Sequence, residues 1–199
     1  CSSDLAVPTV QYTRGMVSCS EFTGVPLITL LELAGADLKN GKFVLAEGGD
    51  GSSMTRTIPM SLITSGEVLV AYGQNGEMLR PEQGYPLRLF APGFEGNMSI
   101  KWLRRLKLGT EPWQTREETS AYTDLGADGK ALQFTFVMGV KSVITTPSAV
   151  MKLNGPGFYE ISGIAWTGSG KIRRVEVSVD GGKSWDQATL QEPVLDRCL

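Results

Sequence analysis

Arg88 stands inside the apolar run Tyr85-Pro86-Leu87-Arg88-Leu89-Phe90-Ala91, which otherwise reads as a buried strand. A charge in such a place needs a partner, because ionised side chains are almost never buried alone. Pro92, Gly93 and Gly96 follow, and Lys101 then opens Lys101-Trp102-Leu103, so two cations flank a glycine-bearing loop. An arginine fork can hold phosphate-like oxygens bidentately, a lysine adds a point charge, and glycine backbone can approach a ligand closely. That arrangement suits an anionic ligand. The same spacing also fits Arg88 pairing with a nearby carboxylate while Lys101 merely opens a strand.

The rest of the composition narrows the chemistry. With 41% hydrophobic residues in 199, the chain can build a packed core. Nineteen basic residues against 21 acidic ones leave no electrostatic footprint for nucleic acid or an anionic membrane surface, so neither is an expected partner. No apolar run approaches the ~20 residues of a membrane-spanning helix. Histidine is absent, which excludes a Ser-His-Asp triad, histidine-ligated zinc and haem attachment through C-x-x-C-H within these residues. The three cysteines, Cys1, Cys19 and Cys198, are too widely spaced for a disulfide framework or a zinc site, and Cys19 reads as a buried apolar thiol. Chemistry must come from carboxylates, tyrosine, cysteine, cations or an imported cofactor.

Along the chain, Pro26 to Ala34 reads as a short helix that Gly35 can close. Phe43 to Ala46 reads as a strand running into the loop Glu47 to Ser53, where Asp50 is placed either to accept hydrogen bonds from a ligand N–H or simply to shape a turn. Pro59 to Ile63 reads as a helical turn, and Val68 to Tyr72 as a strand before the Asn75-Gly76 turn. Gly109 to Lys130 is polar and charged and reads as a long surface connection carrying Trp113 and Tyr122. After about Met138 the pattern becomes all-β, with strands expected at Phe158 to Trp166, Lys171 to Val179 and Ser184 to Leu190, and Asp180-Gly181-Gly182 as a hairpin turn.

Gln83-Gly84-Tyr85-Pro86 with Arg88, then Pro92-Gly93 with Gly96, then Lys101-Trp102-Leu103 resemble the molybdenum-cofactor domain of the sulfite oxidase family, where an H/Q-G-F/Y-P-x-R strand leads through P-G-x-x-G to a K-W-L strand. Thr23-Gly24-Val25-Pro26-Leu27, Glu47-Gly48-Gly49-Asp50, Ile58-Pro59, Asn75-Gly76-Glu77 and Val177 to Gly182 extend the resemblance over nearly the whole chain. It implies an α+β fold: the C-terminal part of a sulfite-oxidase-type molybdopterin domain at residues 1–138, followed at residues 139–199 by the first part of an immunoglobulin-like β-sandwich that mediates dimerisation. A whole sandwich takes about 100 residues and seven strands, so this one would be incomplete. The chain, opening at Cys1, is expected to be a fragment without turnover of its own.

The resemblance also implies site residues. Asp50, Gln83, Arg88 and the Ser99-Ile100-Lys101 segment would bind the pterin, with Gln83 standing where many relatives have histidine. Cys1 is the candidate molybdenum ligand, a soft thiolate suited to a high-valent metal, though its Cys1-Ser2-Ser3-Asp4 context lacks the family's C-x-G-N; otherwise the ligand lies upstream. Ala6 occupies the place of the sulfite-type substrate arginine if Cys1 is the ligand. Tyr122 falls near the family's active-site tyrosine, or is an ordinary loop residue.

Pro8 to Tyr12, Ser18 to Glu21, Met78 to Gln83 and Lys141 to Thr145 look most similar to the sulfane dehydrogenase branch of the family. That implies a periplasmic enzyme oxidising a small sulfur substrate in thiosulfate oxidation. Its expected partners are a second copy of itself and a c-type cytochrome subunit, and no haem is expected in this part of the protein. A sulfite dehydrogenase is the alternative within the family, and a non-catalytic immunoglobulin-like binding module the alternative outside it.

Overall fold

The computed structural model describes residues 17–132, 137–148 and 151–197. Two compact units emerge, Ser20–Val137 and the residues from Met138 onward together with Val17–Cys19.

The first unit starts with β1 (Phe22–Pro26), whose last residue leads directly into α1 (Leu27–Leu33). Leu27 and Leu31, one helical turn apart, are the buried positions of α1. The helix ends in a Schellman motif: Gly35, at φ +67°, donates to the Glu32 carbonyl and Ala36 to that of Leu31. The expected helix is therefore present with its glycine terminator.

β2 (Phe43–Gly48) pairs antiparallel with β3 (Thr55–Pro59) on one side and β7 (Leu103–Gly109) on the other. As the central strand it is buried along almost its whole length, which is why it reads as an apolar run. α2 (Met60–Ile63) follows β3 and buries both of its ends. β4 (Leu69–Gln74) pairs with β1, with β5 (Glu77–Met78) and with β6 (Arg88–Phe90), all antiparallel. Asn75 and Gly76 close the β4–β5 hairpin with positive φ at both positions, 52° and 78°, the signature of a type I′ turn. At the β1 bulge, a Cβ on Gly24 would fall 2.5 Å from the Val70 carbonyl oxygen, so only glycine lets the strands meet there. One core joins both sheets: Val44, Ala46 and Ile58 from the first, Val70 and Leu89 from the second, with Leu27, Ile63, Met98 and Ile100 between them.

The Gly109 to Lys130 stretch differs from the expected surface connection. It contains α3 (Arg116–Ala121) and the two-residue β8 (Asp124–Leu125), which pairs with β9 (Ala131–Leu132). Thr115 and Glu118 form a capping box at the start of α3, and Glu118 is fully buried. Its carboxylate accepts from the Thr57 N–H and the Thr57 hydroxyl, and so covers the open edge of β3. Polar composition concealed this helix because its anchor is an ion rather than an apolar stripe.

In the second unit β10 (Lys141–Thr146) pairs antiparallel with β11 (Ser162–Trp166), and β12 (Glu176–Val177) with β13 (Asp186–Gln187). β11 falls inside the expected Phe158 to Trp166, but the other two expected strands contract to two residues each. Of the Val175-Val177-Val179 alternation, Val175 and Val177 are half-buried and Val179 is 75% exposed. The turn after β12 is organised by Asp180, whose carboxylate accepts from the backbone N–H of Lys183 and of Ser184 and from the hydroxyls of Ser178 and Ser184. Those bonds hold Asp180 far below the usual carboxylate range.

Candidate cofactor and active site

β4 carries β6 alongside it, with Ala71 opposite Arg88, and this fixes where the guanidinium can reach. Arg88 Nη1 donates to the Gln83 carbonyl at 3.1 Å and Nη2 to the Ser99 carbonyl at 3.2 Å. Nε is buried with no hydrogen-bond partner. Its other neighbour is the Phe22 ring, 5.2 Å below the guanidinium carbon and stacked on Phe90 at 4.1 Å. Among the described residues no carboxylate pairs with it, so the ion-pair alternative does not account for Arg88. Carbonyl dipoles satisfy two edges of the fork, no described residue supplies a counter-charge, and desolvation pulls the pKa down.

The rest of the expected pterin set surrounds this fork. Segment 84–89 runs beside segment 100–103, through Trp102 N–H to Gly84 O, Leu103 N–H to Leu87 O and Leu89 N–H to Ile100 O. Gly84 sits at φ +108°, and a Cβ there would lie 2.9 Å from Lys101 Cβ, so this crossing demands glycine. Lys101 Nζ donates to the Glu82 carbonyl at 2.7 Å and Trp102 Nε1 to that of Pro81 at 2.8 Å. The Gln83 side-chain oxygen accepts from the Arg80 N–H, and Ser99 Oγ accepts from the Ala91 N–H. Ile100 buries its side chain in the core, leaving only its backbone for any ligand.

Asp50 reaches the same place from β2. Gly49 N–H bonds the Trp102 carbonyl, and a Cβ on Gly48 would lie 2.8 Å from Lys101 O and 2.9 Å from Asp50 Oδ1. The Asp50 carboxylate accepts from the Ser52 hydroxyl and the Met54 N–H, and its pKa is lowered, chiefly by the Ser52 hydroxyl. Asp50, Gln83, Arg88, Ser99, Ile100 and Lys101 thus meet around the Gly84–Lys101 crossing. Cys1 lies outside the described residues. Cys19 is exposed rather than buried, since it precedes β1 and enters no core.

Tyr122 is the C-cap of α3 and stands over a second arginine. Arg56, from β3, is fully buried, and its guanidinium carbon lies 4.5 Å from the centre of the Tyr122 ring. Nε of Arg56 donates to Asn97 Oδ1 at 3.0 Å, Nη1 to the Thr55 carbonyl at 2.8 Å, and Nη2 is buried without a partner. Burial pulls its pKa down, opposed by Tyr122, Glu118 and Glu117. Asn97 lies in the 3-10 turn Gly96–Met98, which runs straight into Ser99, so the Arg56 and Arg88 forks grip successive parts of one loop. Arg56, Asn97 and Glu118 are not among the residues that sequence pattern singles out. Arg56 sits between Thr55 and Thr57 ahead of Ile58-Pro59, so its polar neighbours hide the charge-within-an-apolar-run signal that Arg88 displays.

The glycine crossing and the half-buried guanidinium of Arg88 thus lie together at one place in the first unit. Residues 1–117 match the oxidoreductase molybdopterin binding domain family and residues 133–197 the Mo-co oxidoreductase dimerisation domain. The chain belongs to this molybdopterin-binding oxidoreductase family, the sulfite oxidase family, and carries its dimerisation domain after its cofactor domain.

Among solved structures it is similar to the sulfane dehydrogenase SoxCD from Paracoccus pantotrophus, at 48% identity and a TM-score of 0.89, covering 96% of this chain and 49% of that one. It is also similar to the NADH nitrate reductase of Solanum lycopersicum, 33% identical over 210 residues, and to inducible NADH nitrate reductase 2 of Glycine max, 32% identical over 209. These alignments take in 89% of this chain but only 22% and 23% of the relatives' length.

Proposed function

We propose that this chain is part of a molybdenum-cofactor oxidoreductase that oxidises sulfane sulfur in thiosulfate oxidation and delivers the electrons to a c-type cytochrome partner. The observation that supports the cofactor is Arg88, a half-buried cation whose Nε is buried without a hydrogen-bond partner and which has no counter-ion among the described residues, because desolvating a charge is costly unless an anion joins it. The residues present fit the pterin cofactor. Arg88 and the backbone at Ser99, Ile100 and Lys101 would hold it, with Gln83 and Asp50 as hydrogen-bonding neighbours and the Cys1 thiolate as the protein's metal ligand. When bound, the cofactor supplies two-electron redox chemistry at molybdenum with water as the source of oxygen.

Tyr122 is the hydrogen-bond donor of the site. A phenol placed where negative charge develops on the substrate stabilises the transition state more than the ground state. The choice of sulfur over nitrate rests on the 48% identity with the sulfane dehydrogenase against 33% and below with the nitrate reductases. On this reading the second unit, which matches the dimerisation domain family, is the first part of an immunoglobulin-like sandwich that pairs two copies, in a periplasmic protein. A sulfite dehydrogenase is the nearest competing reading.

Purified full-length protein tests this directly. Molybdenum and pterin stoichiometric with the chain are expected, with cytochrome c reduced in the presence of a sulfane substrate and not by sulfite alone; nitrate reduction would redirect the assignment, and absence of molybdenum would remove it. Arg88→Met should lower pterin content more than tenfold, since a lost charge-assisted contact to a buried anion costs about 2 kcal/mol or more. Normal pterin content in that variant would show that Arg88 does not hold the cofactor.

A further inference from the structure

We propose that Arg56 is the positioning residue of Tyr122, fixing the phenol ring against the Gly96–Met98 turn so that it presents its hydroxyl in one orientation to the reacting substrate. This rests on the reading of Tyr122 as the site's hydrogen-bond donor and adds a residue to it.

Arg56 is fully buried and, among the described residues, pairs with no carboxylate. Its fork meets one amide oxygen, one carbonyl and the face of one ring, and leaves Nη2 unused. A chain selected for stability alone gains little from such a group, because a well-packed apolar residue of similar volume is often as stable or better. What the guanidinium does achieve is connection. It joins β3, the turn Gly96–Met98 through Asn97, and Tyr122 at the end of α3.

Tyr122 closes α3 rather than lying within it. It follows the last residue of α3, with φ −126° and ψ 29°, outside the helical range, and its backbone continues into a two-residue strand. The six-residue helix is anchored one turn earlier by Glu118 on Thr57. A guanidinium stacked under the ring at 4.5 Å restricts the remaining freedom about χ1 and χ2, and the attraction of a cation for an aromatic face strengthens when water is excluded. Restricting a catalytic side chain before the substrate arrives lowers the barrier without tightening ground-state binding. Arg56 and Thr57, neighbours on opposite faces of β3, thereby hold the two ends of one short helix: Thr57 takes Glu118 and Arg56 takes Tyr122.

The test compares full-length wild-type protein with Arg56→Met, Arg56→Lys, Tyr122→Phe and the double variant Arg56→Met/Tyr122→Phe. Each is assayed for metal content, kcat and KM. Separately, the metal-free proteins carry 13C-labelled tyrosine rings, the Tyr122 resonance being the one missing from Tyr122→Phe. Expected are a kcat for Arg56→Met lower by about ten- to a hundredfold at normal metal content, KM within about threefold of wild type, and an intermediate kcat for Arg56→Lys. In the Tyr122→Phe background Arg56→Met should cost less than about threefold more, because two residues acting as one unit are not additive. The Tyr122 resonance should move or split in Arg56→Met while the other tyrosine signals stay.

Full multiplicative loss in the double variant, a normal kcat in Arg56→Met, or an unmoved Tyr122 resonance would overturn the proposal. If Arg56→Met does not fold, Arg56→Lys carries the test: a wild-type kcat together with an unmoved resonance overturns it. Wild-type turnover by Tyr122→Phe would instead remove the underlying reading of Tyr122, and the positioning role with it. Tyr122→Phe impaired and Arg56→Met normal would overturn the positioning role alone.

Discussion

The two units handle their apolar residues in opposite ways. In Ser20–Val137 both sheets contribute to one core in which Leu27, Val44, Ile58, Ile63 and Leu89 lose all exposure. After Met138 the large apolar residues stay outside: Phe158 is fully exposed, Val140 is 77% exposed, Trp185 59% and Ile144 52%, and Trp166 is the large side chain that buries, donating from its indole to the Met138 sulfur. Apolar burial contributes roughly 25 cal/mol per Å², so stability in this chain is concentrated in the first unit. Among its described residues the second unit pairs β10 with β11 and β12 with β13 and buries little apolar surface on either. Its order comes from polar devices such as the Asp180 turn, which form locally and do not require a core.

Three substitutions in the 199-residue chain would break or sharpen that contrast. The largest effect belongs to Leu89→Ala. Leu89 alternates with Arg88 and faces the core from β6, so its removal leaves a cavity beneath the strand that carries the guanidinium. Destabilisation of about 2 to 5 kcal/mol is expected in the chemical denaturation of the first unit. A loss under about 1 kcal/mol would mean that β6 is not held by packing.

Next in size comes Glu118→Ala, which leaves the Thr57 N–H, the Thr57 hydroxyl and the Thr115 N–H without their acceptor. The cost should be about 3 kcal/mol, since hydrogen bonds to a charged acceptor are worth more than neutral ones and buried orphan donors add their desolvation. Hydrogen exchange should show α3 and the β3 edge opening together. If exchange rises only in α3, the carboxylate caps its own helix and does not hold the sheet edge.

How much of this was legible in sequence follows from the kind of signal each region emits. The α1 helix with Gly35, the Phe43 strand, the Asn75-Gly76 turn and the charged interruption at Arg88 are local patterns, and local patterns survive into the fold. That Arg88 would end on two carbonyls instead of a carboxylate depends on residues 83 and 99 meeting across the Gly84–Lys101 crossing, which no spacing announces. The helix at Arg116–Ala121 did have a local signal in Thr115-x-x-Glu118, yet it lacks the apolar stripe by which amphipathic helices are recognised. Arg56 lies between two threonines and interrupts no apolar run, so no such signal marks it. The strands after Lys171 were over-read because alternation records which face could be buried, while burial itself needs a facing layer.

That last point gives the smallest expected effect and the sharpest test of the contrast. Phe158→Ser removes a large aromatic side chain, which in a core would cost about 3 to 5 kcal/mol. Here the ring is wholly exposed, so neither transfer free energy nor packing is lost on substitution. The denaturation midpoint of the 199-residue chain should move by less than the equivalent of about 0.5 kcal/mol, as for surface substitutions generally. The same substitution in the full-length protein measures what additional chain or a second copy contributes: if the proposed sandwich is completed there, the ring gains a facing layer and the cost rises toward the core value. A large loss already present in the 199-residue chain would show that Phe158 packs, and would erase the difference between the two units. Equal, negligible losses in both proteins would place Phe158 on an outer surface and leave the exposed apolar residues of β10 and of the Asp180 hairpin as the face to be covered.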